Sequence, residues 1–204
     1  MCWNAEISLN TFIFGIISAI IVILLNKINY IIILFIFSVS LMQLLEYFAW
    51  KNIDNKENIY YLSIIGFLII LFQIIILNYG FLNNKDRQIA LIIILIFSIQ
   101  IFIYNYQNNK FNMEVGENKH LIWHWVDIPL PLLIIVLIFY IYPAFRNGYI
   151  PFLLITVSLL ISFYYYYKYK TWGTMWCYFS NLIWLYLLIY VILKRFGLLK
   201  KNKF

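Results

Sequence analysis

Two acidic residues and two histidines have the side-chain types and positions that catalysis or metal binding requires. Glu46 lies inside a long apolar run, in LMQLLEYFAW, about one helical turn before that run ends. Glu6 stands just before the first apolar run. His120 and His124 are the only histidines, and their i, i+4 spacing would place both on one face of a helix. Burying a charge in an apolar environment is costly, so Glu46 indicates either a function or a hydrogen-bonding partner.

This residue set predicts a metal-dependent hydrolytic site. Asp127 follows His124 by three residues, and with His120 and Glu46 it would supply the ligands that a divalent metal such as zinc prefers. Glu46, Glu6 and His120 are the candidate acid–base residues, because a carboxylate close to a histidine suits hydrolysis.

The same stretch also has a structural interpretation. Trp123 and Trp125 flank His124, and tryptophan is enriched at the lipid–water interface of membrane proteins. Asp127 lies two residues before Pro129, where it suits the N-cap of a helix, since proline is favoured in a first turn.

The two cysteines, Cys2 and Cys177, stand near opposite ends of the sequence. In an oxidising compartment they would form a disulfide that ties the N-terminus to the last apolar segment. The alternatives are two free thiols that pack as small apolar groups, or a nucleophilic cysteine with a histidine as its base.

The composition identifies the environment of these residues. The chain has 204 residues, of which 65% are hydrophobic and 11% charged, and its mean hydropathy is +0.86. Soluble domains carry roughly 45–50% apolar and about 25% charged residues, so this chain is expected to be an integral membrane protein. Its net charge of +7 resides in loops and in the C-terminal tail, where membrane lipids are the expected partners. Nucleic-acid binding is not expected, since the sequence has no soluble basic domain.

Seven apolar segments predict an all-α, polytopic membrane protein with a bundle of seven transmembrane helices. The runs are continuous rather than alternating, which favours helices over a barrel. No basic region precedes the first run, so that run is expected to remain as a helix rather than to be cleaved. The whole chain is one predicted transmembrane domain, with a basic tail at 194–204 and helices at about 8–25, 30–50, 60–82, 89–106, 129–145, 150–167 and 175–193.

Lysine and arginine positions predict that the N-terminus lies outside and the C-terminus in the cytoplasm. In that orientation the inner side holds Lys27, Lys85, Arg87, Arg146, Lys194, Arg195, Lys200, Lys201 and Lys203. The outer side holds Lys51, Lys56, Lys110, Lys119, Lys168 and Lys170. Seven crossings would also bring the N-terminus and the loops after segments two, four and six to one face. The candidate site residues are therefore expected at the outer end of the bundle.

Small and polar residues also occur within the apolar segments. Gln43 shares a helical face with Glu46, and Ser180 and Asn181 follow Cys177, which predicts a polar cluster of Gln43, Ser180 and Asn181. Such residues commonly join membrane helices, at about 0.6 kcal/mol for each hydrogen bond. This structural role is an alternative to chemistry for each of them.

Three stretches, MCWNAEISLNTF, SLMQLLEYFAWKN and GTMWCYFSN, resemble uncharacterised multi-pass membrane proteins of giant DNA viruses and some protists. The start of those proteins tends to read MCWSAE, and Asn4 stands here in place of the serine. The resemblance implies a seven-helix protein of a host endomembrane, plasma or virion membrane, and it implies no activity. The residues it singles out are Cys2, Trp3, Glu6, Gln43, Glu46, Trp176 and Cys177.

Better-known seven-helix families fit poorly. A retinal protein needs a lysine inside its seventh helix, whereas Lys194 stands only at the end of the seventh segment. Alkaline-ceramidase-like hydrolases bind zinc with three histidines, and this chain has two. The DRY-like and NPxxY-like stretches of G-protein-coupled receptors do not occur.

Three functions stay open from the sequence. The first is a structural or interaction protein of a viral or host membrane, because the apolar segments contain few ionisable residues. The second is a membrane-embedded, lipid-directed hydrolase, which predicts that Glu46, Glu6 and His120 lie within hydrogen-bond or metal-ligand distance. The third is a transporter, channel or ligand sensor, which predicts a cavity that extends inward past Gln73.

Overall fold

A computed structural model shows a helical protein with one small β-hairpin. The structure describes residues 4–25, 30–147 and 149–197, without the side chains of residues 144, 147, 149–152, 155, 180 and 183. Its helices are α1 (Ala5–Leu25), α2 (Tyr30–Lys51), α3 (Lys56–Phe81), α4 (Asn84–Gln107), α5 (Leu130–Asn147), α6 (Tyr149–Tyr166), α7 (Trp172–Ser180) and α8 (Leu182–Arg195). The predicted all-α class is confirmed, since the strands β1 (Met113–Val115) and β2 (Leu121–Trp123) are three residues each.

Five helices of the described chain are long and apolar enough to cross a membrane. They are Ala5–Leu25, Tyr30–Lys51, Lys56–Phe81, Asn84–Gln107 and the stretch Trp172–Arg195, which combines α7 and α8. Helix α5 contains a shorter apolar stretch, Leu130–Pro143. Six of the predicted apolar segments each overlap one helix, and the seventh overlaps two.

Helices α3 and α4 begin four to five residues before the predicted apolar segments, at Lys56 and Asn84. Asparagine side chains cap both helices: Asn55 accepts a hydrogen bond from the backbone N–H of Asn58, and Asn83 accepts one from Asp86. An N-cap asparagine satisfies backbone donors that the first turn leaves unpaired. The first turns of both helices are polar. A search for apolar residues alone therefore places the starts of these helices too late.

The seventh predicted segment forms two helices, because the helix is interrupted at Asn181. The backbone N–H of Trp184 bonds to the carbonyl of Asn181 at 3.0 Å, three residues back, which is a tighter turn than that of an α-helix. The Asn181 side chain donates to the carbonyl of Cys177 at 3.0 Å. Local side-chain bonding of this kind competes with regular helix bonding, which accounts for an interruption at an asparagine.

The segment between α4 and α5 folds as a hairpin rather than a helix. Strands β1 and β2 are antiparallel, with Met113 opposite Trp123 and Val115 opposite Leu121. A 3-10 turn, His124–Val126, then leads toward α5. Leu121, Trp123 and Trp125 are buried, and Ile122 between them is half-buried. This alternation has the period of a strand, so the predicted helical arrangement of HLIWHWVD is wrong.

Helix α2 occupies the centre of the described bundle, packing against α1, α3 and α7. Close approaches between these helices occur at glycine. A Cβ atom on Gly15 of α1 would collide with the Ser40 side chain of α2, and one on Gly80 of α3 would collide with Ile31. Small residues of this kind let membrane helices pack closely. The outer face of α1 keeps exposed apolar side chains such as Ile17, as a surface in contact with lipid requires.

Candidate functional site

The polar connections gather at one end of the bundle, which we call the hairpin end: the α2–α3 loop, the hairpin and the α6–α7 loop. The Asn118 side chain, in the hairpin loop, donates to Thr171 Oγ1 at 2.8 Å. The Tyr60 ring, at the start of α3, meets the Phe111 ring edge-on, with centroids 6.2 Å apart. Within the described residues, the predicted convergence of these loops is confirmed.

Glu46 lies in the interior, on the side of α2 that packs against α7. Its side chain and that of Gln43 are both 0% exposed. The Glu46 carboxyl is close enough to the Cys177 thiol of α7 for the two groups to interact electrostatically. Asn181 is also buried, one turn further along the α7–α8 stretch. Gln43, Glu46, Cys177 and Asn181 are thus buried polar residues of α2 and of the α7–α8 stretch, and Glu46 and Cys177 interact between the two helices.

The two histidines lie in different surroundings, and the prediction that they share a helical face is wrong. His120 precedes β2 and is 4% exposed, with its ring edge-on to Tyr166 of α6 at a centroid distance of 5.6 Å. His124 follows β2, and its Nε2 lies 2.9 Å from Oε1 of Glu114. The two residues separate because the chain between them is a strand. The Glu114 contact was not predicted, since it depends on the pairing of β1 with β2.

Asp127 belongs to a cluster of charges that joins the hairpin to the α6–α7 loop. Its Oδ2 lies 3.3 Å from Nζ of Lys170 and 3.6 Å from Nζ of Lys110. Lys110 also donates to the Asp127 carbonyl, and its Nζ lies over the Tyr104 ring, 5.1 Å from the centroid. The N-cap prediction for Asp127 is wrong, because α5 begins three residues later, at Leu130, and the carboxylate contacts lysines instead.

The predicted catalytic residues differ in burial. Glu6 is exposed in the first turn of α1, whereas Glu46 and His120 are buried. Over the described part of the chain, no three His, Cys, Asp or Glu side chains are grouped so that they could hold a metal ion. The predicted ligand set of His120, His124, Asp127 and Glu46 is therefore not brought together. The chain between the histidines is a strand, and two lysines contact the Asp127 carboxylate.

The disulfide and polar-cluster predictions are only partly covered by the described residues. Cys2 and Trp3 lie outside them, as does the side chain of Ser180. Cys177 is buried and is a free thiol within the described residues. The disulfide between Cys2 and Cys177 stays a prediction.

A second polar group lies deeper in the bundle, between α2, α3 and α5. The Tyr140 hydroxyl of α5 donates to Oε1 of Gln73 on α3, and Gln73 Nε2 donates to the Ser38 carbonyl of α2 at 3.1 Å. Asn78, further along α3, donates to the carbonyl of Phe139 at 2.9 Å. Tyr140 was not predicted as a site residue, because a tyrosine in an apolar segment gives no sequence signal for its partner.

An apolar cavity of about 100 Å³ lies between the hairpin end and the Gln73–Tyr140 pair. Its walls come from α2, α3, α4, α5 and α7. At the hairpin end its lining includes Trp123 and Trp125, whose rings are stacked with centroids 5.2 Å apart. Along α3 the lining residues run from Phe67 to Ile74.

Within the described residues the structure buries polar groups between helices, leaves an apolar cavity and groups no three potential metal ligands. The acid–base set of Glu46, Glu6 and His120 stays a prediction. The Glu46 carboxyl is buried and interacts electrostatically with the Cys177 thiol. Comparison with protein families, with curated proteins and with solved structures finds no match to this chain.

Proposed function

We propose that this chain is a seven-span integral membrane protein with its N-terminus outside and its C-terminus in the cytoplasm. Support comes from the five long apolar helices, from the apolar stretch of α5 and from the α6 helix that follows it. The gathering of the α2–α3, α4–α5 and α6–α7 connections at one end is what alternating crossings require. The lysine and arginine bias favours the orientation.

We further propose that it is a structural or interaction protein of that membrane. This proposal is carried by one observation: buried polar side chains form hydrogen bonds between helices. Trp184 of α8 bonds to Ser40 of α2 at 2.9 Å, and Trp176 of α7 bonds to Ser158 of α6 at 3.2 Å. The Gln73, Tyr140 and Asn78 bonds tie α3 to α2 and α5 in the same way. Interhelical hydrogen bonds are a usual means of joining membrane helices.

A viral or host membrane is the proposed location, and its support is the resemblance of the three short stretches to multi-pass proteins of giant DNA viruses. One of these stretches contains Gln43 and Glu46, and another contains Cys177. These residues are buried on α2 and α7, two helices that contact each other. A motif that is shared with those proteins and lies where two helices pack agrees with a role in helix packing.

The experiment compares the lipids of host-cell membranes that contain the wild-type chain with those that contain a His120→Ala, Glu46→Gln double variant. A structural or interaction protein leaves the two lipid profiles the same at equal expression. A lipid-directed hydrolase would deplete one lipid class and release its product only with the wild type. That second result would overturn the proposal.

A further inference from the structure

We propose that the cavity between α3, α4 and α5 binds the end of a lipid acyl chain that enters sideways from the bilayer. The lining is mostly apolar, and its polar groups are the side chains of Gln73, Ser98, Tyr140 and Cys177 and the indole N–H groups of its tryptophans. Nothing in the proposed interaction role requires such a site.

Gln73, Tyr140 and Ser98 are already engaged in hydrogen bonds, so that the indole N–H groups of Trp123 and Trp125 are the buried unpaired polar groups of the lining among the described residues, and the lining favours an apolar occupant. Gln73 bonds to Tyr140 and to the Ser38 carbonyl. Ser98 bonds to the carbonyl of Leu95, within its own helix, at 2.8 Å. A polar ligand would lose its hydrogen bonds to water and find few replacements, at a cost of roughly 2 kcal/mol or more per group. A hydrocarbon ligand meets no such penalty.

The cavity also has the size for hydrocarbon rather than for ordered water. An apolar cavity of roughly 150 Å³ in a soluble protein stays dry and binds benzene. This cavity is about 100 Å³ and its walls are comparably apolar. On α3 its lining extends from Phe67 to Ile74. Seven helical residues correspond to about 10 Å along the helix axis, which is long enough for the end of an extended acyl chain.

Tryptophan side chains close the hairpin end of the cavity, so access from water is blocked there. A Cβ atom on Gly66 would lie only 2.8 Å from the Trp125 ring, which shows how tightly this ring packs on α3. The Asn105 side chain of α4 holds the Trp125 carbonyl at 2.9 Å. At the other end the Gln73–Tyr140 bond closes the space between α3 and α5.

The remaining route is lateral, between α4 and α5. The cavity is partly open, and α4 and α5 contact each other less than either contacts α3. Both helices carry exposed apolar residues on their outer faces, including Ile99 of α4 and Ile138 of α5. In a membrane those faces contact lipid chains. Acyl chains are therefore the molecules next to the opening, and an acyl chain is the expected occupant.

The test uses the full-length chain in phosphatidylcholine vesicles that contain a phosphatidylcholine with a diazirine near the methyl end of one acyl chain. After illumination, peptide mass spectrometry locates the labelled residues. The proposal predicts label on cavity-lining residues of α4, such as Ile94 and Ile101, as well as on outward residues. If the wild-type protein carried label only on outward residues such as Ile99, that result would be enough to overturn the proposal.

A matched pair of variants on α5 tests occupancy. Ile135 lines the cavity, whereas Ile138 is exposed on the same helix. Ile135→Trp fills the space and is expected to lower the label on Ile94 and Ile101 about tenfold, while Ile138→Trp leaves it unchanged. Equal labelling of these α4 residues in both variants would overturn the proposal. Ser98→Leu, which adds apolar atoms from α4, provides a second filled cavity if Ile135→Trp does not fold.

Discussion

The indole N–H of Trp184 donates a hydrogen bond to Ser40 Oγ at 2.9 Å and so joins the last helix of the bundle to the second. The two residues are far apart in the sequence, and both are 0% exposed. Gly15 of α1 lies against both side chains, so three helices meet at this point. Polar side chains in this protein thus stabilise specific contacts between helices. Apolar surfaces alone would not determine which positions meet.

Gly15→Ala is expected to destabilise the bundle. The added methyl group would collide with the Ser40 hydroxyl and lie 3.2 Å from the Trp184 nitrogen. Overpacking of this kind typically costs about 1–3 kcal/mol. A lower midpoint of thermal unfolding in detergent would show it. Gly173→Ala is the matched control, because a Cβ atom there makes only ordinary contacts, the nearest at 3.4 Å. An unfolding midpoint equal to that of the control would contradict the expectation.

The Ser40–Trp184 bond is expected to give a measurable coupling energy. Ser40→Ala removes the acceptor, Trp184→Phe removes the donor, and the double variant removes both. In a double-mutant cycle of unfolding free energies, interhelical bonds in membrane proteins average about 0.6 kcal/mol and reach about 1.7 kcal/mol. A coupling within that range is the expected result. Strictly additive effects would mean that the bond does not join α8 to α2.

Asp127→Asn is expected to loosen the contact between the hairpin and the α6–α7 loop. The substitution removes the charge that Lys110 and Lys170 share, and all three side chains are partly exposed. Exposed ion pairs contribute about 0–1 kcal/mol, so global stability should change little. Hydrogen exchange of the hairpin loop should become faster. In wild-type protein 1 M salt should have a similar effect, since salt screens exposed charges. Unchanged exchange in both experiments would contradict this role.

The proposed orientation predicts which loops a membrane-impermeant maleimide reaches in intact cells. Glu117→Cys, in the hairpin loop, should react without permeabilisation, and Asn84→Cys, at the start of α4, only after it. Both positions are exposed at their own ends of the bundle, and neither substitution alters the basic residues that set orientation. The background for both is a chain with Cys2 replaced by serine, tested alone as the control. The reverse pattern would place the N-terminus inside.

The positions of the helices follow from the sequence, because apolar runs in lipid have few structural alternatives. The convergence of the α2–α3, hairpin and α6–α7 connections follows as well, since helices that alternate in direction bring every second connection to the same end of a bundle. The face of α1 that carries Ser8, Gly15 and Ser18 is buried, as its small residues suggest. In these cases short-range pattern and topology determine the result.

The candidate site was less predictable, because it depends on pairings that sequence spacing does not reveal. The spacing of His120 and His124 suits a helix, yet Leu121, Trp123 and Trp125 alternate as in a strand. That alternation, together with Gly116 and Asn118 as turn residues, is the signal that predicts the hairpin. Tyr140 has no such signal, since its partner Gln73 is on a different helix.

The most direct measurement of the central claim, that the buried polar residues join helices rather than hold a metal, is the metal content of the purified protein. Protein in mild detergent would be analysed by mass spectrometry for metals per chain, beside the His120→Ala, Glu46→Gln double variant. We expect neither sample to carry a stoichiometric metal, because the described residues do not group three ligands. A stoichiometric amount of zinc or a similar ion in the wild type, lost in the double variant, would contradict the claim and favour the hydrolase.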